Sequence, residues 1–284
     1  MKWKYKIQPY CFIAPFFIIF SYFYFIPIFK VIRDSFTDYD MFSERNFIGI
    51  KNYIELFHDK EFLLSIGNTL IYTVGTLLPA LTIGLLLATV INSSLIKTRF
   101  TRMAIFMPHV ISMVAVSMIW LYIYSPGDGL LNVIFRIFGL KGKEWLLDPK
   151  LAMLCLIIMG IWKGVGYYMI VFLSGIKGIS AQYYEAAKID GANAVTIFFK
   201  VTLPLLKPTS AFLLITGIIS SFNVFEQVNI MTDGGPLNRT TTMVHQIYTA
   251  GFSEYRMGYA SAMSVVLLLI VVVVSIFNFR MTSE

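Results

Sequence analysis

The run IQPYCFIAPFFIIFSYFYFIPIF, from Ile7 to Phe29, holds 23 consecutive residues without a charge. A helix of about 20 mostly apolar residues spans the hydrocarbon core of a bilayer, because every backbone polar group is then paired inside the segment. Lys2, Lys4 and Lys6 precede the run as they would in a signal peptide. The run is longer than the roughly 7 to 15 apolar residues of a signal and does not end in small residues, so it reads as an uncleaved first span. Five more segments satisfy the same demand. One helix is expected at about 67–92, inside the 35 uncharged residues from Phe62 to Ile96, with Pro79 as the place for a kink. The others are 103–124, 151–176 with Lys163 as its single charge, 208–225 and 259–279. The expected fold is all-α: a polytopic membrane protein with six transmembrane helices. It forms one domain over residues 1–284, with no internal repeat and no linker.

Composition agrees with a chain solvated by lipid. Hydrophobic residues make up 57% and charged residues only 14%, against about 25% charged in soluble domains. The 23 Lys and Arg outnumber 16 acids, but they sit in short clusters between apolar runs and form no single basic face, which argues against a nucleic-acid partner. Cys11 and Cys155 are far apart in apolar stretches and make no C-x-x-C pair, so both read as inert buried residues, with no disulfide and no metal site. Six spans place both termini on one side. Segments 1–6, 93–102, 177–207 and 280–284 carry 11 basic residues in 52 positions, and the other loops carry 11 in 91. The higher density marks the termini as cytoplasmic.

Between the fourth and fifth spans lies SAQYYEAAKIDGANAVTIFFKVTLPLLKP, Ser180 to Pro208. Good helix formers run from Ala181 to Ile189, Gly191 breaks them, and Ala194 to Val201 can resume a helix before Pro204 and Pro208. Helix, turn and helix make either a compact cytoplasmic protrusion or an amphipathic loop resting on the membrane surface. A family resemblance favours the first. Glu185-Ala186-Ala187, three residues, Gly191, nine residues, Val201, one residue and Leu203-Pro204 resemble the EAA loop of binding-protein-dependent ABC transporter permeases. Val201 stands where the usual pattern has Ile. The fuller EAAKIDGA, with Asp190 and Ala192, resembles the sugar-permease branch that includes maltose and glycerol-phosphate importers. Tyr124-Ser125-Pro126, Gly129-Leu130-Leu131-Asn132, Trp145 and Gly160-Ile161-Trp162-Lys163-Gly164 resemble the same branch. Met231-Thr232-Asp233-Gly234-Gly235-Pro236 and Met257-Gly258-Tyr259-Ala260-Ser261-Ala262 resemble the maltose-permease-like first subunit of the pair.

The resemblance implies a permease of the bacterial or archaeal cell (inner) membrane that forms half of a path for a sugar or oligosaccharide. It implies a second permease subunit in a heterodimer, a cytoplasmic ABC ATPase dimer and an extracytoplasmic solute-binding protein as partners. Residues 180–207 become a coupling loop in which Glu185, Ala186, Ala187, Asp190, Gly191, Ala192, Leu203 and Pro204 meet the ATPase. Asp190 also reads as a turn cap. No G-x-x-x-x-G-K-[ST] loop occurs in the chain, so ATP and Mg are expected on the partner and neither enzyme activity nor cofactor here. An ion-coupled carrier would need an acidic residue within a span, and the six apolar runs have none. A scaffold that transports nothing is the remaining alternative, and the EAA loop speaks against it.

Polar and aromatic residues in spans three to five are candidates for the path: His109, Trp162, Lys163, Gly164, Tyr167, Ser220, Ser221 and Asn223. Rings stack on sugar faces, and amides and hydroxyls meet sugar OH groups; the same residues also serve as glue between helices. Lys163 reads as a site for solute, or as the partner of a backbone carbonyl or of Glu226. Gly258 and Ala262 form a small-xxx-small pair that lets another helix approach closely, from the second permease or from this chain.

Overall fold

The computed structural model describes residues 2–93 and 99–283, leaving out the side chains of 2–9, 11, 279 and 281–283, so the expected burial of Cys11 falls outside what is described. Among the described residues, four helices are long and apolar enough to cross a membrane: Phe12–Asp34, Lys60–Asn92, Ala152–Gly178 and Met257–Asn278. The Lys60–Asn92 helix runs without a break through Pro79.

The third and fifth spans differ from the straight helices expected at 103–124 and 208–225. The third consists of Arg99–Val110 and Met113–Ile123, bent by 96°. Pro108 lies inside the first of these, and a proline removes one backbone donor and crowds the preceding turn, so the helix ends within three residues. The fifth, Lys207–Phe222, is preceded by the helical stretch Ala194–Leu205 of the coupling loop, from which it is bent by 63° at Leu206. The 16 residues of Lys207–Phe222 reach only about 24 Å at 1.5 Å each, short of the roughly 30 Å of a hydrocarbon core. Each bent pair counted as one span gives six.

The chain divides into two compact units, residues 1–62 with 246–269, and 63–245 with 270–284. In the first, the loop after Asp34 is pinned by side chains. Asn52 Nδ2 donates to the Ser35 and Thr37 carbonyls, each at 2.9 Å. The Asn46 backbone and side chain both donate to Asp38, which holds that carboxyl below its ordinary range. Tyr259 Oη donates to Asp59 at 2.7 Å and Arg256 pairs with Glu55 at 2.6 Å. Gly258 lies so close to the Thr37 carbonyl that a Cβ would collide with it, and its N–H donates to the Tyr39 carbonyl at 2.8 Å. Gly258 is small because a loop of its own chain packs on it.

The second unit has two apolar clusters, one around Tyr72, Tyr124, Leu156, Met159 and Val228, the other around Leu77, Met169, Phe172, Leu206 and Leu213. Two helices, Lys60–Asn92 and Ala152–Gly178, contribute to both. On the Ala152–Gly178 helix the first cluster takes Cys155 to Met159 and the second Met169 to Ile176, and the stretch between them contains Gly160, Lys163, Gly164 and Tyr167. A band of small and polar residues thus lies midway between two blocks of core.

Candidate functional site

That band lines a cavity of about 440 Å³. It brings together His109, Lys163, Gly164, Tyr167, Ser220, Ser221 and Asn223, residues contributed by Arg99–Val110, Ala152–Gly178 and the end of Lys207–Phe222. Small residues make the space. A Cβ at Gly160 would press on Tyr72 and Thr76, and one at Gly217 on Leu77 and Tyr168, so bulk at either position would displace the cavity wall. Gly166 does a different job. It packs directly on the Ile105–Phe106 backbone, bringing the Ala152–Gly178 helix into contact with the broken third span.

Close approach there puts the Lys163 ammonium at the break. Its Nζ donates to the carbonyls of Pro108 at 3.2 Å, His109 at 3.4 Å and Ile111 at 2.5 Å. A helix end leaves its last carbonyls without partners, and in a segment without water a charged donor from a neighbouring helix can supply them. Of the alternatives raised for Lys163, a backbone partner is the one observed. The His109 ring stacks on Tyr167 with centroids 5.0 Å apart. Asn223 donates to the Ile219 carbonyl at 2.8 Å, closing its own helix, while the Ser220 and Ser221 hydroxyls carry no side-chain bond among the described residues.

Trp162 lies apart from this cavity, in a shallow groove with Ala104, Ile105, Pro108 and Val165. One residue from Lys163 along a helix is a rotation of about 100°, and here that rotation sets the indole against the third span at Ala104, Ile105 and Pro108 and away from the cavity. Its indole meets Trp120 edge to face at 5.6 Å.

Sequence reasoning passed over Tyr72, Thr76, Tyr168 and Gln227, which also line the cavity. Gln227 Nε2 donates to Tyr72 Oη at 2.8 Å. Tyr72 and Thr76 are one turn apart on the second span, a polar i, i+4 pair in an apolar run that would have flagged them. Gln227 falls just past the expected end of the fifth span and carried no such signal.

At the other end of the same unit, Ala181–Ile189 is a helix, Gly191 has φ +76°, and helix resumes at Ala194. Ala192 N–H donates to the Ala187 carbonyl at 2.9 Å and Gly191 N–H to that of Lys188 at 3.0 Å. This is the Schellman closure, which needs the left-handed residue that glycine supplies. Asn193 caps the second helix, its Oδ1 accepting from Thr196 N–H at 2.8 Å; Asp190 stands at the C-cap of the first helix, one residue past its end at Ile189, and is exposed. Glu185, Ala186, Leu203 and Pro204 are exposed and Ala187 and Ala192 half-buried. Tyr183, Ile189, Val195 and Phe199 add exposed apolar surface, Ile189 at 86%.

The family model described as "Binding-protein-dependent transport system inner membrane component" matches residues 80–282. The chain belongs to that family. Full-length relatives agree. The chain is 36% identical over 280 residues to the probable ABC transporter permease protein YurN of Bacillus subtilis, covering 97% of this chain and 96% of that protein. It is 33% identical over 281 residues to the sn-glycerol-3-phosphate transport system permease protein UgpA of Agrobacterium fabrum, covering 98% and 96%. Against the arabinooligosaccharides transport system permease protein AraP of Bacillus subtilis it is 33% identical over 282 residues, covering 98% and 90%. Among solved structures, a chain of a bacterial ABC transporter involved in import of the acidic polysaccharide alginate superimposes with a TM-score of 0.88 at 26% identity, covering 100% of this chain and 99% of that one.

As an ABC importer permease, the chain uses its motif residues in ways the structure makes concrete. In the permease, Asn132 is 1% exposed and holds a loop together. Its Nδ2 donates to the Ser125 and Lys143 carbonyls, and its Oδ1 accepts from Lys143 N–H and Trp145 Nε1. Gly234, at φ +76°, packs against Thr241 and His245 with no room for a Cβ. Both motifs shape loops; neither reaches the cavity lining.

Proposed function

We propose that the chain forms half of a membrane path for a saccharide, with the cavity as its solute site. The observation that carries this reading is the cavity itself, where rings, hydroxyls and amides converge beside the middle of the Ala152–Gly178 helix, the mixture that stacks on sugar faces and bonds their hydroxyls. Relatives named for arabinooligosaccharides and alginate support it. A second permease supplies the other half. A cytoplasmic ATPase pair holds ATP and Mg and docks on Ala181–Leu205, whose exposed Ile189, Val195 and Phe199 are unfavourable in water and suit a protein groove. An extracytoplasmic binding protein delivers the solute. This subunit needs no cofactor and hydrolyses nothing. The site test is uptake of labelled neutral oligosaccharides by a strain deleted for this gene. Restoring the gene returns uptake of at least one, and failure for every saccharide offered overturns the saccharide reading.

In this arrangement both termini face the cytoplasm of the cell (inner) membrane. Single cysteines at Ile189 and Arg239, both exposed, report the sidedness. An impermeant thiol reagent labels position 239 in intact cells and position 189 only after permeabilisation. The reverse pattern inverts the topology.

A further inference from the structure

Two formally charged side chains line the cavity, Lys163 and Glu226, and they are not equivalent. The three N–H donors of Lys163 are taken by the carbonyls of Pro108, His109 and Ile111. Those carbonyls sit at a helix C-terminus, where the helix dipole is negative, so the positive charge is met inside the wall and no donor is left for a solute anion. Glu226 is exposed. Among the described residues it makes no ion pair within 4.0 Å with Lys163 or any other cation and no side-chain hydrogen bond, although it lies near enough for its charge to act on Lys163. It opens the six-residue helix Glu226–Met231, whose first N–H groups favour a carboxylate without giving its oxygens a bonded partner. The other polar groups of the lining, His109 aside, are neutral hydroxyls and amides.

We propose that the cavity accepts uncharged, hydroxyl-rich solutes and turns away anionic ones, and that Glu226 sets this preference. The inference rests on the cavity being the solute site. It separates this chain from relatives whose names specify anionic cargo, glycerol phosphate and alginate.

The test measures the charge preference of the cavity directly. In the complete importer, in membrane vesicles, with Cys11→Ser and Cys155→Ala as background, Ser220→Cys places one thiol in the lining. Its modification rates with an anionic and a cationic methanethiosulfonate of similar size are each divided by the rate with a free thiol. The cationic reagent is expected to be favoured by about fivefold or more, because a charged cleft concentrates ions of opposite sign. Glu226→Gln should remove that preference. If Ser220→Cys fails to assemble, Ser221→Cys serves in its place. A ratio near one, a preference for the anionic reagent, or a preference that survives Glu226→Gln overturns the proposal. These rates do not depend on what is carried. Normal saccharide uptake with an unselective thiol removes this inference alone, whereas absent uptake with a selective thiol removes the saccharide reading.

Discussion

Gly191→Val abolishes solute uptake while the subunit still inserts at normal abundance. Valine at φ +76° costs roughly 1 to 2 kcal/mol from the left-handed conformation alone, and a β-branched side chain fares worse than most. Nothing lies within 4 Å of a Cβ at this position, so the loss is purely conformational. The Schellman closure opens, and the Ala181–Ile189 helix no longer reverses onto the segment beginning at Ala194. Ala187→Trp reaches the same end by bulk, since overpacking a docked surface costs about 1 to 3 kcal/mol. Both variants are expected to lose copurifying ATPase. Glu185→Ala keeps the complex together and breaks the link between hydrolysis and uptake. Uptake and ATPase copurification, read side by side for the three variants, check this. Wild-type uptake in all three would falsify the docking role and leave the loop as a surface helix.

Lys163→Met has the second largest effect, a fall in uptake of about tenfold or more with a loss of thermal stability of the purified importer. Methionine keeps the length and apolar stem but removes every donor, and a hydrogen bond to a charged group contributes about 1.5 to 3 kcal/mol. Three carbonyls at the bend of the third span then face the interior unpaired. Lys163→Arg restores part of both properties, because its guanidinium still offers donors, and Lys177→Met, at the exposed last turn of the same helix, changes neither. If Lys163→Met transports and melts like the parent, the bend is held by something else.

A charge-free run such as 7–29 has only one way to satisfy its backbone in lipid, so the number and approximate place of the spans were readable from composition along the chain. The turn at Gly191 was legible for a similar reason. Its conformation depends on nearest neighbours and on the absence of a Cβ, both written in the local sequence. Cavity residues on spans three to five were found because a polar residue in an apolar run stands out. The same signal was present at Tyr72 and Thr76 on the second span.

Tertiary structure alone decided the rest. Pro108 announces that a helix can end, but the 96° bend depends on Gly166 letting two backbones touch and on Lys163 reaching across to three carbonyls 52 to 55 residues away. Trp162 and Lys163 are adjacent in sequence and on different surfaces in space, a distinction that helix rotation against neighbouring helices makes. Gln227 became part of the cavity by bonding Tyr72 across 155 residues. Gly258 could have met another subunit or its own chain, and only the packed loop at Thr37 and Tyr39 settles which. Local sequence fixes backbone conformation through sterics and solvation at each residue, whereas which side chains share a wall follows from long-range packing.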